Sequence, residues 1–121
     1  MIWASEEGAT EKMMELLVGY KDEGFVNVRG ERRGYLANAG VLKQRIKLFK
    51  GQEYLAVVAG DEDVGEVKLS VKDRKGKTEF KQVVEKGQAI LTFAPDKKDK
   101  YYFVIEAPQK GGYYHFSLVT K

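Results

Sequence analysis

The chain has 121 residues, 43% of them hydrophobic and 32% charged, with a net charge of +3 from 21 basic and 18 acidic side chains. That is the size of one domain, able to bury roughly two-thirds of its unfolded surface in a single core, and too hydrophobic for a disordered chain. With no cysteine, disulfides and thiolate metal sites are excluded, and no apolar run nears the ~20 residues of a membrane-spanning helix.

The opening MIWASEEG lacks the basic end and apolar stretch of a secretory signal. An exported protein with this sequence is therefore expected to be a mature form carrying an added Met. The first element reads as a helix. Ala9, Met13, Leu16, Leu17 and Tyr20 recur at i, i+4, i+7, i+8 and i+11, one apolar stripe at helical period. Ser5 suits the N-cap, and Glu6 and Glu7 favour the helix dipole in the first turn. Gly19 or Gly24 ends it. The stripe needs a cover: the domain itself, a second copy, or a partner.

From residue 25 the period changes to two. FVNVR (25–29) reads as a short strand and GERRG (30–34) as a loop. VLKQRIKLF (41–49) puts Leu42, Ile46 and Leu48 on one face and Lys43, Arg45 and Lys47 on the other. EYLAVVA (53–59) is apolar on both faces, as in a strand covered on both sides. EVKLSVKD (66–73) turns Val67, Leu69 and Val71 inward, and DRKGK (73–77) is a turn with Gly76 in the left-handed position. KTEFKQVVE (77–85) runs back, QAILTFA (88–94) aims Ala89, Leu91 and Phe93 together, and PDKKDK (95–100) is an exposed loop. YYFVIEA (101–107), a PQKGG turn (108–112) and YYHFSLVT (113–120) close the chain.

About eight short strands separated by Gly, Asp and Lys turns predict an all-β, antiparallel sandwich. With the N-terminal amphipathic helix, this divides the chain into a helical extension, 1–24, and a β-sandwich domain, 25–121. Treating the last two strands as a hairpin sets Ala107 opposite Tyr114, Ile105 opposite Phe116 and Phe103 opposite Leu118, all facing the core. The other face then pairs Glu106 with His115, with Tyr102 and Tyr113 nearby, and offers an apolar dock for the helix stripe.

The segment LFKGQEYLAVVAGDEDVGEVKLSVKDRKGK (48–77) resembles the bacterial pre-peptidase C-terminal domain, a jelly-roll-like β-sandwich. The matching features are Gly51, Gln52 and Tyr54, the loop acids Asp61 and Asp63, Lys68 with Leu69, and the turn of Asp73 with Gly76. The ending TFAPDKKDKYYFVIEAPQKGGYYHFSLV resembles that family's finish, so the resemblance spans roughly 35 to 120. It implies a non-enzymatic binding or accessory module of an exported protein, secreted or periplasmic.

Four groups of residues are site candidates. Asp61, Asp63 and Glu66 suggest calcium, although an EF-hand loop from Asp61 fails at Gly65, Glu66 and Lys72; what remains is a looser cation site or a solvated turn. His115, the single histidine, lies two residues from Ser117, but adjacent strand side chains do not make a catalytic triad. A Glu106–His115 pair is expected instead, with the imidazole pKa raised. Tyr102 and Tyr113, facing outward, suit a peptide or glycan platform. Arg29, Arg32, Arg33, Lys43, Arg45 and Lys47 have acids interspersed among them and read as a solvated surface, so nucleic acid is not an expected partner. No catalytic residue and no cofactor beyond calcium are expected. The alternative to a binding module is an assembly module whose copies associate through Met13, Leu16, Leu17 and Tyr20.

Overall fold

The computed structural model describes residues 6–77 and 83–121. The N-cap expected at Ser5 and the middle of the strand expected over 77–85 therefore lie outside the described residues. Helix α1 (Glu6–Lys21) precedes eight strands: β1 (Asn27–Leu36), β2 (Val41–Leu48), β3 (Tyr54–Gly60), β4 (Glu66–Lys72), β5 (Val83–Lys86), β6 (Gln88–Phe93), β7 (Asp99–Glu106) and β8 (Gly112–Thr120).

The strands form two four-stranded antiparallel sheets, ordered β1-β8-β3-β6 and β2-β7-β4-β5. Within them β1 pairs with β8, β2 with β7, β3 with β6 and β4 with β5. The chain is thus one long antiparallel ribbon folded over, which brings β3 beside β8 and β4 beside β7. The result is an all-β sandwich of jelly-roll-like strand order. Alternation directs Leu69, Val71, Phe103, Ile105, Phe116 and Leu118 between the sheets, where all six are buried.

Two sequence expectations are corrected here. GERRG is not a loop but the middle of β1, which pairs with β8 down to Leu36 with one irregularity between Val28 and Gly30. Gly30 serves close packing, because a Cβ there would lie 2.7 Å from Ile46 Cδ1 on the facing sheet. The second correction concerns β7 and β8, which are not a hairpin but lie in different sheets. The turn after β7 crosses the sandwich, so Phe103 and Phe116 meet through the core with ring centroids 5.5 Å apart. Alternation fixes the side of the strand a residue faces, but not the neighbouring strand.

Helix α1 covers the outer face of the first sheet. Met13 is buried with Phe25, Leu55, Val57, Ala59 and Val119, and Leu16, Leu17 and Tyr20 pack against that cluster. This second core explains why β3 is apolar on both faces. Gly24, at φ 97°, ends the helix: its N–H donates to Lys21 O and the Phe25 N–H to Tyr20 O, the paired bonds of a Schellman cap. The Tyr20 and Phe25 rings meet edge to face at 6.3 Å. At the other flank the Lys12 ammonium donates to Gly87 O at 2.9 Å; burial lowers its pKa, opposed by the charge of Asp61. The stripe that could have joined two copies is engaged within the chain.

Candidate functional site

Among the described residues no helix lies on the outer face of the second sheet, and the pairing of β2, β7 and β4 sets its outward side chains in rows. Arg45, Tyr102 and Lys72 form one row, and Lys43, Val104 and Ser70 the next, with Val104 and Ser70 buried. Below the first row Lys47 pairs with Lys100. The turn after β4 and the loop before β7 extend this surface with Arg74 and Lys98. Two open concavities of about 320 and 350 Å³ lie here and meet at Arg74. Arg45, Lys47, Lys98 and Lys100 line the first, and Lys43, Lys72 and Tyr102 the second.

The lining is held by local geometry. Asp73 closes the turn after β4, its Oδ1 accepting the N–H groups of Lys75 and Lys77 at 2.9 Å. Asp99 Oδ1 accepts the Lys100 N–H at 2.8 Å and stands 4.0 Å from Arg74 Nε, tying turn to loop. Tyr101, inward beside Tyr102, donates its hydroxyl to Lys97 O at 2.9 Å, which fixes the start of the strand. Among the described residues Asp99 is thus the one acid of the two concavities, and it is engaged. Cations and one phenol supply charge and hydrogen-bond donors, which is the chemistry of holding an anion.

The structure separates the residues expected to form one aromatic platform. Tyr102 and Glu106 lie on the second sheet, whereas Tyr113 and His115 lie on the first. Tyr113 stacks edge to face on Tyr35, its partner across β1, at 5.1 Å. The expected Glu106–His115 pair is replaced: Glu106 pairs across to Val41 and Lys68, and His115 Nε2 lies 3.0 Å from Glu31 Oε1. Only the placement of β8 beside β1 reveals Glu31, which a hairpin reading could not find.

The expected rise in the histidine's pKa is also corrected. Burial lowers it from the ordinary 6.5 and outweighs the attraction of Glu31, with Arg33 acting in the same direction as burial and Glu6 against it. The folded ring is therefore harder to protonate than the unfolded one. Stability is full above the unfolded pKa and declines as pH falls through it toward the folded value, because the unfolded chain then binds more protons. The melting temperature should fall from about pH 7 to about pH 5, and more shallowly in His115→Gln. Equal slopes in both proteins would contradict this.

The acidic corner is built as a turn. Asp61 is 4% exposed, its Oδ1 accepting the Asp63 N–H at 2.9 Å and its Oδ2 the Tyr113 N–H at 3.1 Å. Asp63 points to Lys110, 3.8 Å away, and Glu66 is exposed at the start of β4. Among the described residues no group of three or more His, Cys, Asp or Glu side chains is positioned to hold a metal. Asp61→Asn should cost about 2 kcal/mol, since the buried side chain loses one of its two charge-assisted bonds to backbone amides. Thermal denaturation checks this, and a calcium-dependent rise in melting temperature would instead reveal a cation site.

No protein-family profile matches the chain, and no curated protein matches it in sequence. Solved structures do. The pre-peptidase C-terminal domain of a collagenase from Bacillus anthracis superposes with a TM-score of 0.58 over 77% of this chain and 90% of that domain, at 12% identity. This chain has a pre-peptidase C-terminal-like β-sandwich fold. PliG of Aeromonas hydrophila, a periplasmic inhibitor of g-type lysozyme, superposes with a TM-score of 0.59 over 76% of this chain and 85% of that one, at 10% identity. At such identities the likeness is one of fold. The pre-peptidase C-terminal-like sandwich supplies the two sheet faces, and this chain's own residues determine what each carries.

Proposed function

We propose that the chain is a non-enzymatic binding module of an exported bacterial protein, gripping a protein or glycan through the helix-free face of its second sheet. The observation that carries this reading is the row Arg45–Tyr102–Lys72, set beside open concavities rather than beneath a helix. The first sheet spends its outer face on α1. A periplasmic lysozyme inhibitor and a collagenase domain share the fold, which supports a binding role and a location in the periplasm or outside the cell.

Glycan and peptide arrays probed with the wild-type chain, Tyr102→Ala and Tyr113→Ala test the reading. Tyr102→Ala should abolish the retained signal, and Tyr113→Ala, on the opposite sheet, should keep it. Loss in Tyr113→Ala alone would move the site to the first sheet.

A further inference from the structure

We propose, resting on the binding-module reading above, that the face around Tyr102 takes a linear acidic polysaccharide. The charge on this face is not a sample of the chain's average. The whole chain is only +3, yet Arg45, Lys47, Lys72, Arg74, Lys98 and Lys100 converge on two adjoining concavities where, among the described residues, the single acid is Asp99, already engaged. The sequence hides this convergence. Lys43, Arg45 and Lys47 come from β2, Lys72 and Arg74 from the end of β4, and Lys98 and Lys100 from the start of β7, three stretches joined only by strand order.

The shape selects a polymer. Small-molecule sites enclose most of their ligand, whereas these two concavities are open and share Arg74 in their lining. Same-face cations on β2 stand two residues apart, about 7 Å, and adjacent strands are about 5 Å apart. Repeated anions along an extended chain therefore meet cations in two directions. Arg45 and Arg74 can each take a carboxylate through two parallel N–H donors.

Tyr102 decides between polyanions. Proteins that hold single-stranded nucleic acid stack successive bases on successive aromatic rings. Here Tyr102 is the one aromatic that lines the two concavities among the described residues; Phe49, just past β2, is already covered by Lys47 and Lys98, whose Nζ atoms lie 5.8 and 5.7 Å from its ring centre. A lone phenol flanked by Arg45 and Lys72 matches one sugar ring, with an apolar body for its C–H face and a hydroxyl for its polar edge. The other sugars are then held by charge.

Binding of polygalacturonate, its fully methyl-esterified neutral form and an oligothymidylate by the intact chain tests the proposal. The variant Arg45→Ala/Lys72→Ala is compared with Lys21→Ala/Arg29→Ala, which has the same net charge but loses its cations elsewhere. Circular dichroism first shows that both are folded. Polygalacturonate should bind, weaken as salt shortens the screening length from ~30 Å at 0.01 M to ~10 Å at 0.1 M, and lose about tenfold in affinity, equivalent to about 1.4 kcal/mol, in the first variant but not the second. The esterified form should bind at least as weakly as that variant binds polygalacturonate.

Equal binding of the two polysaccharides would overturn the acidic specificity and leave the binding module standing. Tighter binding of oligothymidylate would overturn the polysaccharide in favour of nucleic acid. Equal losses in both variants would show charge without a site and overturn the proposal. Absence of polygalacturonate binding would overturn it too, while a Tyr102-dependent array signal would still uphold the module. If neither is seen, both readings fall.

Discussion

Phe103→Ala should destabilise the chain by about 4 kcal/mol, the cost of removing a large buried ring and leaving a cavity that its surroundings fill only in part. Phe103 is fully buried and touches Phe93 and Phe116, with centroids 5.9 and 5.5 Å away. It is one of the large side chains through which one sheet leans on the other. Against a total stability of 5–15 kcal/mol for a typical domain, the loss should lower the melting temperature by roughly 15 °C. Phe103→Leu, which keeps most of the volume, should cost about 1 kcal/mol. Chemical denaturation of the three proteins checks both values. A Phe103→Ala loss under about 1 kcal/mol would mean that the ring is not between the sheets.

Met13→Ala should cost about 3 kcal/mol, within the range for truncating a fully buried methionine. Met13 is 1% exposed in the cluster that joins α1 to β3 and β8. Its neighbour Met14, 63% exposed, supplies the internal control, and Met14→Ala should change stability by less than about 0.5 kcal/mol. If residues 1–24 were an independent extension, both substitutions would leave the sandwich's unfolding unchanged. The helix instead walls the outer face of the first sheet. Freed of α1, Leu55 and Val57 would face water, so the variant should also bind hydrophobic dyes near its transition.

The sequence made the layers legible and left their assembly unread. Period-two alternation in 41–48 and 66–72 identified the inward residues Leu42, Ile46, Val67, Leu69 and Val71, since a strand's two faces are set by local geometry. The double-sided apolarity of β3 and the stripe on α1 are two halves of one interface, but pairing the last two strands put the helix dock on a β7–β8 face, of which only β8, through Val119, lies under the helix. Alternation could not decide whether β7 turns back on itself or crosses to the facing sheet, because both keep Phe103 and Phe116 inward. That choice moved His115 from Glu106 to Glu31 and placed Tyr102 and Tyr113 on opposite faces. It also hid the cationic face. Lys43, Arg45 and Lys47 looked like an ordinary solvated face, and only the order β2-β7-β4 sets Lys100, Tyr102 and Lys72 beside them. GERRG misled for a separate reason: its first glycine admits a close neighbour, Ile46, rather than a turn.

In the proposed division of labour, one sheet face belongs to α1 and the other to a ligand. Amide chemical shifts of the isotope-labelled chain, followed during titration with trigalacturonate, test it most directly. Saturable shifts are expected at Arg45, Lys72 and Tyr102, with Tyr35, Tyr113 and His115 unmoved. Shifts confined to Tyr35, Tyr113 and His115 would contradict it.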